Sequence, residues 1–184
     1  MTDPRSTSTT APDGAHATSQ PLPASQAHPQ VRHWLQQLDE LVEHMDQSGW
    51  DGWARERARQ VMDFFGPAGR QQRRDEEQLL FPLVAGRGDA ALDSKVERLL
   101  QDHGWLEENW AELVSELRPI AEGFGTTDVA LLRHAADVYA ALWNEHLELV
   151  ERVIHPAALA AHRSPESAAA SRVARAGGLQ TLDS

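Results

Sequence analysis

Four stretches of the chain carry apolar residues at three- and four-residue spacing, and none shows the strict two-residue alternation of a half-buried strand. The first, residues 28–47, puts Val31, Trp34, Leu35, Leu38, Leu41, Val42 and Met45 on one stripe and ends near Ser48 and Gly49. The second starts near Asp51 and uses Val61, Phe64, Phe65, Ala68, Leu79 and Leu83. Gly66 and Pro67 should kink it, because proline interrupts the backbone ladder, and Phe81 and Pro82 should close it before a Gly86, Arg87, Gly88 turn. The third, residues 90–121, shows Val96, Leu99, Leu100, Leu106, Trp110, Leu113, Val114, Leu117 and Ile120, and stops at Gly123, Phe124 and Gly125. Thr126 or Thr127 is the expected cap of the fourth, residues 128–160, whose stripe is Leu131, Leu132, Ala135, Val138, Tyr139, Leu142, Leu149, Val150 and Val153. Four long amphipathic helices with short connections predict an all-α fold, an antiparallel up-down-up-down four-helix bundle.

Outside residues 27–160 the composition changes. Residues 1–26 are rich in Ser, Thr, Ala, Pro and Gln, residues 161–184 in Ala, Ser, Arg and Gly, and both are expected to be disordered tails. Arg5, Arg163, Arg172 and Arg175 balance Asp3, Asp13, Glu166 and Asp183, so the whole net charge of -11 falls on the predicted bundle. So acidic a fold argues against nucleic acid as a partner, which needs clustered cations. The start of the chain lacks the apolar core of a secretory signal, and no run reaches the ~18 apolar residues of a membrane span, so the expectation is a cytoplasmic protein without a membrane partner. There is no phosphate-binding loop or dinucleotide fingerprint.

The chain has nine histidines and no cysteine. Disulfides, thiolate zinc sites and iron–sulfur clusters are excluded, and a transition metal would have to be held by imidazole and carboxylate, a set suited to iron, manganese or zinc. At about 100° per helical residue, His146 lies near the centre of the fourth stripe, His103 within roughly 30° of the third, and His28 about 80° from the centre of the first. Gln72 and Glu76 interrupt the apolar line of the second helix, with Arg73 and Glu77 turned to its flank. His33, His44, His134 and His155 are expected to point outward, and His16 and His162 fall in the tails. Trp34, Trp105, Trp110 and Trp143 read as packing residues, and the Trp50 to Trp53 corner as a cover for one end of the bundle.

A single inward histidine is ordinarily a hydrogen-bonded structural residue. Here one candidate comes from each predicted helix: His28, Glu76, His103 and His146. A buried carboxylate is costly unless paired, and inward His and Glu at such spacings are how bundle cores build metal sites. Glu107, four residues after His103, reads either as a further ligand or outer partner or as a surface salt bridge.

In chain order, His28, the segment Asp75 to Pro82 (DEEQLLFP), Asp102 with His103, and Glu145 with His146 ahead of His155 and Pro156 resemble the hemerythrin-like, HHE cation-binding domains over residues 27–160. The resemblance implies a four-helix bundle around a non-haem iron site, usually two irons bridged by carboxylates. It also implies a role in binding or sensing oxygen, nitric oxide or peroxide, or in handling iron. Carried over by position, His28 matches the first-helix ligand, Glu76 the second-helix carboxylate, His103 the third-helix ligand and His146 the fourth-helix histidine. Two positions depart. Gln72 stands where a histidine is expected, followed by Arg73, and Val150 stands where a carboxylate is expected four residues after His146. Glu151 is adjacent to Val150 but projects about 140° from His146 on a regular helix, out of reach without local distortion.

Three imidazoles, one carboxylate and a neutral amide resemble a one-ion site more than a two-ion site. An inward Arg73 would oppose a dication, and Val150 extends the dry core. Two readings stay open on these residues. In one, the chain is a metal-binding protein, with iron as cofactor, taking a small diatomic or peroxide ligand at an altered, incomplete site. In the other, it is a metal-free bundle in which Gln72, Glu76, His103 and His146 form a hydrogen-bonded cluster, serving as a structural or protein-interaction module. No separate acid–base or nucleophile constellation is present, so an oxidase or peroxidase ranks behind both.

Overall fold

The first apolar stripe becomes helix α1 (Pro23–Ser48), which begins ahead of His28 and is ended by Gly49 at a positive φ of 74°. A computed structural model of the chain describes residues 23–124 and 127–163, with side chains from His28 onward. The expected tails fall outside the described residues, apart from residues 23–26 and 161–163, which are helical.

The second predicted helix is a series of shorter pieces. Helix α2 (Gly52–Phe64) passes into a π-helical turn at Phe65–Gly69, then α3 (Arg70–Asp75), a second π turn at Glu76–Leu80, and a 3-10 turn at Phe81–Leu83. Pro67, which has no N–H to give to the previous turn, sits inside the first π turn where the kink was expected. In the second, the wider turn brings Leu80 in line with Glu76, so Leu80 is buried and Leu79 is exposed, the reverse of the expected stripe.

Helix α4 (Ala90–Glu122) is capped by Asp89, whose carboxylate accepts from the N–H groups of Ala91 and Leu92. Gly123 ends it at φ 93°, and the Phe124 N–H reaches back to the Pro119 carbonyl at 2.8 Å. Helix α5 (Val129–Leu149) is capped by Asp128, which accepts from Ala130 and Leu131. Thr127 is therefore not the cap; Thr126 lies outside the described residues. A third π turn, Val150–Ile154, leads into α6 (His155–Arg163). Leu100, Trp105 and Leu131, placed on stripes by periodicity, are exposed.

Helix α1 packs on α2 and α5, and α4 packs on the same two, which closes the antiparallel bundle. Among the described residues, the buried apolar side chains form two clusters. The larger holds Leu38, Val61, Phe65, Leu106, Leu113, Leu117, Tyr139 and Trp143, and the smaller holds Leu80, Phe81, Val84, Leu99, Val150 and Ile154. In α4, His103 falls between Leu99 of one cluster and Leu106 of the other; in α5, His146 precedes Leu147 of one and Val150 of the other. A polar layer thus divides the core. At the far end, Trp50 Nε1 donates to the Ile120 carbonyl at 3.2 Å and Arg55 Nε to that of Ala121 at 3.3 Å, tying the α2 corner to the end of α4. Among the described residues, no helix is long and apolar enough to cross a membrane.

Two outcomes follow from these ends. Gly123→Ala forces a Cβ into the left-handed region and should destabilise the protein by about 1–2 kcal/mol, read from the urea midpoint. Asp51 caps α2 by accepting from the Ala54 N–H at 2.9 Å, and His44 lies 3.1 Å from its carboxylate. The Ala54 N–H first, then His44, hold its carboxyl below the ordinary value. A depressed pKa means stabilisation that is present above the ordinary carboxylate range and lost as pH falls through the native value. The stability difference between wild type and Asp51→Asn, measured by urea unfolding, should therefore shrink between about pH 5 and about pH 2.

Candidate metal centre

Glu76 opens the second π turn and is fully buried, with His103 (4% exposed) from α4 and His146 (0%) from α5 against it. The two oxygens of Glu76 divide the site. His103 Nε2 lies 3.0 Å and His146 Nε2 2.8 Å from Oε2, while Gln72 Nε2 donates to Oε1 at 2.8 Å and His28 Nε2 stands 3.7 Å from that same oxygen. One ligand atom from each of Glu76, His103 and His146 falls within a group no wider than 4.8 Å, an arrangement able to hold a metal ion.

An outer ring of carboxylates fixes two of the imidazoles. His103 Nδ1 is 2.6 Å from Glu77 Oε1, and His28 Nδ1 is 3.1 Å from Glu151 Oε1, whose other oxygen accepts from Arg32 Nη2 at 2.9 Å. A histidine that gives its Nδ1 proton to a carboxylate turns the lone pair of Nε2 inward. Two such lone pairs then face the oxygens of Glu76. Lone pair against lone pair is repulsive, so each ring must either carry a second proton or share a cation with Glu76.

The electrostatics favour an ionised Glu76. Burial pushes its carboxyl up, but hydrogen bonds from His103 and His146, the charge of His146 and the nearby His28 together hold it well below the usual carboxylate range. His28 Nε2 and His146 Nδ1 are buried without a hydrogen-bond partner. Imidazole nitrogens around a single carboxylate are a donor set that suits iron, manganese or zinc rather than the all-oxygen cages of calcium or magnesium. The residues present thus fit the metal that the sequence resemblance implies.

The structure brings His28, Glu76, His103 and His146 together, with His28 on the far oxygen of Glu76 from the other two histidines. Gln72 is buried against Glu76. Glu107 is exposed and takes no part in the cluster. Val150 is fully buried in the smaller apolar cluster.

Four side chains depart from the helical arithmetic. Glu151 reaches His28 because the π turn at Val150–Ile154 supplies the local distortion: in such a turn, residues five apart share a face, and Glu151 is five after His146. Glu77 turns onto His103 instead of the flank, within the π turn at Glu76–Leu80. Arg73 is buried at 7% exposure rather than flanking. His155, expected outside with His33 and His134, is half-buried and stacked on His28, ring centroids 5.1 Å apart. Burial and the neighbouring His28 hold its pKa below the ordinary value, against Glu76 and Glu151, which raise it. A signal was available: each π turn contains a proline or is followed by one two residues later, at Pro67, Pro82 and Pro156.

The family model described as the hemerythrin HHE cation-binding domain matches residues 25–158. No curated protein and no solved structure matches the chain.

The same geometry says what a carboxylate at position 150 would do. Val150→Glu buries it against Leu80, Leu99 and Ile154 and should lower stability by about 3 kcal/mol or more, measured by urea unfolding. An unchanged midpoint would mean that position 150 can turn toward the polar layer.

Proposed function

The chain belongs to the hemerythrin HHE cation-binding domain family, and on that premise we propose that it is a non-haem iron protein that binds or senses oxygen, nitric oxide or peroxide. The observation that carries the reading is the convergence of inward Nε2 atoms on a buried Glu76 while Glu77 and Glu151 occupy the Nδ1 atoms of His103 and His28. Glu76, His103 and His146 are the proposed ligands, with His28 on the second oxygen of Glu76 as a fourth. Ferrous iron held there would supply an electron-rich centre to a small diatomic or peroxide ligand.

The chain's own residues set the terms of binding. Glu77 and Glu151 hold two imidazoles in the tautomer that offers Nε2. The two apolar clusters above and below keep bulk water from the layer. On the Oε1 side, the donors are His28 and the uncharged amide of Gln72, and buried Arg73 adds positive charge nearby, so the reading is one ion rather than two. The competing reading, a metal-free bundle, has its own support: Gln72 and doubly protonated imidazoles satisfy Glu76 with hydrogen bonds alone.

Anaerobic reconstitution of the full chain with ferrous iron, followed by metal analysis and a visible spectrum in air, separates the two. The expected result is one iron per chain with a spectrum that changes on exposure to air or nitric oxide. No bound iron under any loading would overturn the proposal in favour of the metal-free bundle. Glu77→Gln, which weakens the partner of His103, should lower zinc affinity by about tenfold to a hundredfold in a chelator competition. Unchanged affinity would remove Glu77 from the account.

A further inference from the structure

The metal layer is closed to contact from outside. Glu76 and His146 have no exposure, and His28 and His103 are buried with them between the two apolar clusters. Oxygen, nitric oxide and peroxide are small enough to pass between side chains that hop rotamers in a packed core, but a bulky reductant, a dye or a protein is not. An electron exchanged between this layer and such a molecule must therefore travel through side chains. In a chain without cysteine, tryptophan and tyrosine are the side chains best able to give up one electron and take it back.

One unbroken series of such rings runs outward from the layer. Trp143 stands one turn before His146 on α5 and meets it edge to face, ring centroids 5.7 Å apart and planes at 85°. Tyr139, the chain's single tyrosine, lies one turn further back, its ring 6.4 Å from that of Trp143. Trp110 of α4 follows at 5.5 Å from Tyr139. Trp143 and Tyr139 are fully buried, whereas Trp110 is partly exposed, so only the last ring of the series borders water. The charge of Arg73 reaches Tyr139 and opposes a positive hole resting on the phenol, which favours its passage to Trp110. The other way out, toward Trp34, crosses Phe65 at 6.3 Å from Trp143 and then Phe64 at 5.0 Å from Phe65. A phenyl ring is far harder to oxidise than an indole or a phenol, so that branch is not a relay.

We propose that Trp143, Tyr139 and Trp110 form a one-electron route between the buried metal layer and the surface, with Trp110 as its outer end. The proposal rests on the iron reading above and gives that site a way to complete the reduction of a peroxide. A peroxide that takes two electrons and two protons leaves as two waters. Ferrous iron going to ferric gives one of the electrons, and the route gives the other. Trp143 passes an electron inward, Trp110 replaces it across Tyr139, and the indole proton of Trp110 goes to water, which leaves a neutral indolyl radical at the surface. A soluble reductant of the ascorbate class then returns one electron and one proton to Trp110. The oxidising equivalent is thereby discharged at one outer ring instead of on the histidines of the site.

The test loads the full chain with ferrous iron, adds one equivalent of hydrogen peroxide in aerated buffer without reductant, and maps oxidised residues by peptide mass spectrometry. An indolyl radical left without a reductant takes up oxygen, so the route marks its own end point, and with no cysteine present no thiol competes for the mark. The expected result is oxidation concentrated on Trp110, although Trp105 at 56% and Trp50 at 41% are more exposed and would be marked first by peroxide acting from solvent. Metal-free protein given the same peroxide should show no preference for Trp110. Trp143→Phe should lower the mark on Trp110 by about tenfold or more at unchanged iron content. Trp110→Phe, a change outside the fully buried core, should move the mark inward to Trp143. Oxidation distributed by exposure, an unchanged Trp110 mark in iron-loaded Trp143→Phe, or no mark on Trp143 in Trp110→Phe overturns the route and leaves the iron reading standing. Absence of bound iron overturns both.

Discussion

A carboxylate with no solvent exposure in the middle of a helical bundle is the constraint from which the rest follows. Burial opposes the charge of Glu76, while the hydrogen bonds of His103 and His146, the charge of His146 and the nearby His28 together hold its carboxyl well below the usual range. Those partners come from different helices, α4 and α5, and His28 of α1 approaches from a third. The bundle cannot close around Glu76 without bringing three imidazoles to it, and once they are there the core is split into two apolar clusters with a polar layer between them. Such a layer is stable only when every member is satisfied. Protons on the histidines can do that, and so can a cation; the orientation of His103 and His28 by outer carboxylates favours the second.

Local backbone geometry decides which side chains join this layer. Among the described residues, three π turns interrupt otherwise regular helices, two of them at the site itself. One carries Glu76 and swings Glu77 onto His103. Another brings Glu151 to His28 and leaves Val150 in the dry core. The third, around Pro67, ends on Gly69, about one to two helical turns before Gln72 and Glu76. π turns of this kind are often found at functional sites because a single extra residue re-aims side chains without breaking the helix.

The architecture and the inner residues could be read from the sequence because both depend only on the average helical period. Val31, Leu38, Leu113 and Leu132 mark the stripes, and His28, Glu76, His103 and His146 fall on or near them. What could not be read depends on departures from that period. Constant 100° steps put Leu79 inside and Leu80 outside, leave Glu77 and Arg73 on the flank, and send Glu151 and His155 away from a site that both approach. The cap of α5 was missed for a different reason: Thr127 and Asp128 are both capable caps, and only the backbone decides that Asp128 accepts the free N–H groups.

The central claim is that the inner nitrogens of particular histidines, fixed by their outer partners, are the ones offered to a cation. Long-range proton–nitrogen NMR of uniformly labelled full chain, with and without one equivalent of zinc as a diamagnetic stand-in, tests it most directly. The account predicts that zinc shifts the Nε2 resonances of His103 and His146 most strongly and that of His28 with them, while His33, His44 and His134 stay in place. A zinc response confined to those outer histidines, or no response at His103 and His146, would contradict it.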